Sequence, residues 1–223
     1  MAPATSFATF HVCAGNAVAH RSVAAFIEGA SAERQIFLWG ERGAGKSHLL
    51  SAACQQISAE GYRIAYLPAA LAAHPDALNG LEQCELVCID DVHALEPGAE
   101  FDLCRCIDRC RSASTMLLFA AEQPPENLRL AQPELATLLD LGPRYRVGAL
   151  EGDALRDALQ CEAVGRALAL GDDVIDYLLK HFPPNMAALR PVIDRLDAAS
   201  LREKRRVTVP FVKQTLASIT AER

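Results

Sequence analysis

Residues Gly40 to Ser47 read Gly-Glu-Arg-Gly-Ala-Gly-Lys-Ser, three glycines spaced so that the backbone can curl until several N–H groups face one anion. In such a loop Arg42, Gly43, Ala44 and Gly45 line the phosphates with main chain. Lys46 then reaches the β- and γ-phosphates, Ser47 offers a hydroxyl to magnesium, and His48 follows at the start of the next helix. A second chemical element is Leu86-Val-Cys-Ile-Asp90-Asp91, an apolar run that ends in two carboxylates. In proteins with a phosphate loop, the acid at such a strand end holds magnesium, directly or through water, and its neighbour can orient or deprotonate an attacking water. Asp90 is therefore the second candidate for the metal beside Ser47, and Asp91 is a candidate base. Glu122 follows another apolar run, where a carboxylate could orient water or cap the turn ahead of Pro124.

These groups need a scaffold that brings several strand ends together. Short apolar runs at Ile36–Trp39, Arg63–Leu67, Leu86–Ile89, Met116–Phe119 and Tyr145–Leu150 alternate with helical or turn segments. That alternation predicts an α/β fold with a parallel sheet covered by helices on both faces. Helices are expected over Lys46–Glu60, where Leu49, Leu50, Ala53, Cys54 and Ile57 recur at helical spacing before Gly61, and over Glu100–Ser112. After about Leu150 only helical periodicity remains, over Asp153–Leu168, Asp172–Lys180, Ala187–Glu203 and Pro210–Ala221, with Asp153, Asp172 and Thr208 as expected caps. The expected division is residues 1–150, nucleotide-binding, and 151–223, a small all-helical domain.

Composition narrows the setting. With 223 residues, 51% of them hydrophobic, the chain can bury a sizeable core. A net charge of -6 disfavours strong direct DNA binding and anionic membranes, which call for an excess of Lys and Arg. No stretch is long and apolar enough for a bilayer, and the opening residues do not have the pattern of a secretory signal. The eight cysteines are scattered through strands and helices, which fits a reducing cytoplasm; Cys104, Cys106 and Cys110 are read as small packing or surface residues rather than metal ligands. Arg202–Arg206 is read as a solvated helix end.

The two motifs followed by a helical domain resemble the AAA+ ATPases, and several stretches narrow the likeness to the DnaA family. Phe7-Ala-Thr-Phe10-His-Val12 with Asn16-Ala-Val-Ala-His20 resembles that family's opening segment, which implies that Phe10 and Val12 lie against adenine. Phe37-Leu-Trp-Gly40, Lys46-Ser-His48-Leu-Leu, Val87-Cys-Ile-Asp90-Asp91-Val and Glu122-Gln-Pro-Pro continue the likeness, and it spans nearly the whole chain. The ending, Arg195-Leu-Asp-Ala-Ala-Ser200 through Val209-Pro-Phe-Val-Lys213, is similar to the short Hda-type regulators within that family. The resemblance implies a helical lid, ATP or ADP with Mg2+ as ligand, and a bacterial cytoplasmic setting. Its implied partners are DnaA and the DNA-loaded sliding clamp, with hydrolysis of DnaA-bound ATP as the outcome and self-association left open.

Three departures bear on mechanism. Residues 1–6 contain no Gln- and Leu-rich clamp peptide, so either the start is placed late or the clamp is reached otherwise. Leu138 stands where the resemblance implies an arginine finger, and Ala187 where it implies the sensor 2 arginine; Arg144, Arg129 and Arg190 are the nearby substitutes. An arginine finger contributes about 10³–10⁵ in rate, so weak or no intrinsic ATPase activity is expected. Two other classes stand beside the regulator: a stand-alone ATPase that loads or remodels a partner such as a helicase, and an adaptor that uses nucleotide structurally. Turnover rising with protein concentration would mark the first of these.

Overall fold

A computed structural model describes residues 5–220, with side chains up to residue 216. By its internal contacts the chain forms two compact units, Thr5–Ala149 and a second that begins at Leu150.

The first unit is built on five parallel strands: β1 (Gln35–Trp39), β2 (Ile64–Pro68), β3 (Leu86–Asp90), β4 (Met116–Ala121) and β5 (Arg144–Arg146), in the order β2-β3-β4-β1-β5. The strands read as apolar runs because both faces of the sheet are covered. Phe37, Val87, Ile89, Leu117 and Phe119 point into one core, with helix α3 (Glu100–Ser112) and helix α4 (Pro133–Leu139). Their alternate neighbours Ile36, Leu38, Leu86, Cys88, Met116, Leu118 and Ala120 point into the other, with helix α1 (Ala17–Ile27) and helix α2 (Lys46–Ala59). Each fully buried Phe or Leu of this kind contributes about 1.5–3 kcal/mol. Cys104, Cys106 and Cys110 lie in the first of these cores and Cys54 and Cys88 in the second, as packing residues.

All five strand bounds shift from the sequence reading: β1, β3 and β4 are longer by one or two residues at one end, and the other two strands are displaced or shortened. The second strand runs Ile64–Pro68 rather than Arg63–Leu67, and the last is the short Arg144–Arg146 rather than Tyr145–Leu150. Val147 still donates its N–H to the Trp39 carbonyl (2.7 Å), but Gly148 then bonds to Gly15 instead of continuing the ladder. Helix α1 has no counterpart among the expected helices, although Ala19, Val23 and Phe26 recur on its buried face.

The second unit packs helix α5 (Gly152–Val164), helix α6 (Asp172–His181), helix α7 (Met186–Glu203) and helix α8 (Val209–Thr220) around Leu159, Ile175, Leu178, Leu189, Ile193, Leu196, Phe211 and Val212. Asp153 and Asp172 sit in the first turns of their helices, not at the caps, which are Glu151 and Gly171. A first-turn acid and a capping acid both favour a helix start, one through the dipole and one through a hydrogen bond, so the sequence signal is the same. Thr208 does cap α8, accepting from the Phe211 N–H at 3.4 Å, and Asn185 caps α7, accepting from the Ala188 N–H at 2.9 Å. The expected extension of the last helix to Ala221 lies outside the described residues. In the basic run, Arg205 reaches Glu203 (3.3 Å) and lies over the Phe211 ring, and Arg202 also meets Glu203.

One buried carboxylate holds the first unit's surface chain in place. Glu100, 1% exposed at the start of α3, accepts the N–H groups of Ala131 (3.0 Å) and Gln132 (2.6 Å), just ahead of α4. Glu100→Ala leaves both donors without that partner. It is expected to cost about 2–3 kcal/mol in urea unfolding at unchanged m, with Glu100→Gln recovering part of the loss.

Candidate functional site

The sheet order sets the site. Trp39 pairs with Ala121 across β1 and β4, and Ile89 pairs with Phe119 across β3 and β4. The residues at or just beyond these strand ends, Gly40, Asp90 and Glu122, therefore emerge along one edge, at the carboxyl ends where open parallel sheets place their ligands.

Between β1 and α2 the loop takes backbone conformations that glycine permits: φ is 83° at Gly43 and 103° at Gly45. Space is as restrictive as torsion. A Cβ on Gly45 would stand 2.9 Å from the Phe10 ring, and one on Gly40 would stand 2.2 Å from the Val147 carbonyl oxygen. The loop is thus pressed from one side by the opening segment and from the other by the end of β5.

Lys46 is 5% exposed and donates from Nζ to the carbonyls of Gly40 (2.7 Å) and Glu41 (3.0 Å). Burial pulls its pKa below the ordinary lysine value; Asp91, Asp90 and Glu122, in that order, push it back up. The four titratable groups singled out in the sequence are thereby gathered within electrostatic reach of one another.

Asp90 is 4% exposed, and both of its oxygens are engaged: Oδ1 accepts the Asp91 N–H (2.9 Å) and Oδ2 accepts the Tyr66 hydroxyl (2.5 Å). Asp91 is exposed and left-handed (φ 54°), a conformation that aspartate tolerates better than most residues and that is concentrated at functional sites. Glu122 is half-buried beside His93: its N–H donates to Nδ1 (3.4 Å), and its carboxylate lies 3.6 Å from Nε2. Tyr66 and His93 did not come out of the sequence reading. Tyr66 belongs to a strand known only as an apolar run, and His93 follows the acidic pair without a spacing that marks it.

The opening segment is fixed to α2. His48 donates from Nε2 to the Ser6 carbonyl (2.9 Å) and meets the Phe10 ring edge-on at 5.3 Å, while Phe10 stacks on His20 at the same separation. Phe10 is buried, whereas Val12 is 47% exposed and Arg42 and Ser47 are exposed. Phe10, Gly45 and His48 are in contact; Val12 is not drawn into that cluster.

The glycine conformations and the buried ammonium fit a polyphosphate. Ser47 and Asp90 supply hard oxygen atoms, and magnesium needs only one or two from protein when phosphates and water provide the rest. Among the described residues no group of three or more His, Cys, Asp or Glu side chains could hold a metal by itself.

The candidate arginine positions have other uses. Leu138, on α4, is partly buried against the first core, and its carbonyl accepts from Gln35 Nε2 (2.9 Å). Arg144 is the first residue of β5 rather than part of a loop, and it pairs with Glu126 (2.6 Å) and Asp140 (3.2 Å). In the second unit Ala187 is exposed, and Arg190 pairs with Glu162 (3.1 Å), which also binds Arg166.

Known proteins share this architecture. Domain III of the Thermotoga maritima replication initiation protein DnaA matches with a TM-score of 0.84 at 17% identity, over 97% of this chain and 97% of that one. AMPPCP-bound DnaA from Aquifex aeolicus matches at 0.71 and 24% identity, over 85% of this chain and 63% of that one. A replication initiator DnaA bound to AMPPCP and single-stranded DNA matches at 0.74 and 23% identity, over 91% and 69%. Among the described residues no helix is long and apolar enough to cross a membrane. The family model of the Hda lid domain matches residues 152–216, and that of the bacterial DnaA ATPase domain matches residues 1–144. The chain belongs to the family of the bacterial DnaA ATPase domain, a DnaA-like AAA+ fold, and its residues 152–216 match the Hda lid domain.

Proposed function

We propose that this protein regulates chromosomal replication initiation by acting on DnaA, promoting hydrolysis of DnaA-bound ATP together with the sliding clamp, and that it does so while holding adenine nucleotide of its own in the bacterial cytoplasm. The observation that carries this reading is the junction of a DnaA-type ATPase domain with an Hda-type lid in one chain. The nucleotide part rests on the loop: positive-φ glycines between a strand and a helix, a buried Lys46 and nearby carboxylates. The AMPPCP-bound relatives support adenine as the base.

In this proposal the main chain of Arg42 to Gly45 and the Lys46 ammonium hold the phosphates, while Phe10 braces the loop from the opening segment and His48 ties that segment to α2. Val12 offers apolar surface to the base. Ser47 and Asp90 would hold magnesium, which supplies charge neutralisation between phosphates. Asp91 is placed to accept a proton from water, and Glu122, oriented by His93, to position it. Residues 1–4 lie outside the described residues, so the clamp contact rests on the family alone.

The chain's own turnover is proposed to be slow. The residue at the finger position is spent on packing, and the charge of Arg144 is already shared between two carboxylates. Nucleotide then serves mainly to order the surface presented to DnaA. The chain's net negative charge favours a protein partner over direct attraction to DNA, even though one relative is bound to single-stranded DNA.

Two results are expected. Lys46→Ala removes the charge-assisted phosphate contact and lowers ADP affinity by calorimetry roughly a hundredfold, about 2–3 kcal/mol; unchanged affinity would remove the site assignment. Purified protein accelerates ATP hydrolysis by DnaA when DNA-loaded clamp is present, while its own turnover stays slow and does not rise with its concentration. A rate for DnaA that is indifferent to the protein would rule out the regulatory reading.

A further inference from the structure

Tyr66 lies on β2, in register with Cys88 of β3, and its hydroxyl reaches the carboxylate two residues further along, a diagonal cross-strand contact. At 2.5 Å this is a short charge-assisted bond, of a class roughly twice as strong as a neutral one. The second oxygen of Asp90 is held by the Asp91 N–H, and the whole carboxylate is buried.

We propose that Tyr66 competes with a divalent cation for Asp90, so that the protein holds adenine nucleotide with little help from magnesium. This rests on the nucleotide reading above. Magnesium demands near-ideal octahedral geometry at about 2.0–2.1 Å and gives up its water reluctantly. A buried carboxylate with each oxygen already engaged, one by a phenol and one by a main-chain amide, is a poor partner for it, and the Tyr66 bond must break before Oδ2 can turn toward a cation. The diphosphate held by the loop and by Lys46 supplies the affinity, and the cation adds little until the phenol leaves.

Calorimetry of ADP binding to the full chain, in magnesium and in EDTA, tests this with wild type and Tyr66→Phe. Wild type is expected to gain less than about threefold from magnesium, and Tyr66→Phe about tenfold or more, the scale of one hydrogen bond to a charged group. In the presence of ADP, Mn2+ uptake followed by electron paramagnetic resonance should occur at lower Mn2+ concentration for Tyr66→Phe. Thermal melting of the variant reports whether it is folded, and Tyr66→Leu, which also lacks a donor for Asp90, should show the same gain from magnesium as the phenylalanine variant. Equal magnesium dependence in wild type and the variants would overturn the proposal, as would an ADP affinity that falls equally in both media. Absence of ADP binding by wild type in either medium would overturn the nucleotide reading, and this inference with it.

Discussion

A lysine ammonium that is almost wholly removed from water is the constraint around which the first unit is arranged. Burial alone would push Lys46 toward its neutral form; the two loop carbonyls and the carboxylates of Asp91, Asp90 and Glu122 oppose that. Those carboxylates come from two different strand ends, so the charge is compensated only when β3, β4 and β1 lie side by side in the observed order. The alternating apolar residues that fill the two faces of the sheet therefore do more than form a core. They fix the positions of the acids around a cation that could not be buried without them.

The same requirement explains why so much backbone presses on the loop. Val147 at the end of β5 and the Phe10 ring leave no room for a side chain on Gly40 or Gly45, and the His48 bond to the Ser6 carbonyl ties the opening segment to α2. Loop, opening segment and α2 form one packed piece, so a ligand that orders the loop also bears on Phe7 to Phe10. This is a physical route by which bound nucleotide can alter a surface without being hydrolysed, and it is why we propose a regulatory rather than a catalytic use for it.

Features carried by adjacent residues were legible in the sequence, and features carried by long-range contacts were not. The loop announces itself because its glycines, lysine and serine are spaced within one turn of chain, and the parallel sheet because strands buried on both faces are uninterrupted apolar runs. The reading of Cys106 and Cys110 as packing or surface residues rested on the lack of a second cluster to complete a metal site, and both are buried in the first core. Tyr66 gave no such signal, since its bond to Asp90 exists only once β2 and β3 are paired; Glu100 and His93 are hidden for the same reason. The short β5 was misjudged because Val147 to Leu150 is apolar enough to continue a strand, yet the Gly148 N–H bonds to the Gly15 carbonyl instead. Leu138 and Arg144 were weighed in the sequence only for their place near a finger position; the core contact of one and the two ion pairs of the other appear only in three dimensions.

Amide hydrogen exchange with and without ADP tests most directly whether nucleotide orders the loop and the opening segment together. ADP is expected to slow exchange at Gly43 to Leu49 and, in parallel, at Phe7 to Val12, with both effects absent in Lys46→Ala. Protection of neither segment, or protection that persists equally in Lys46→Ala, would contradict the account.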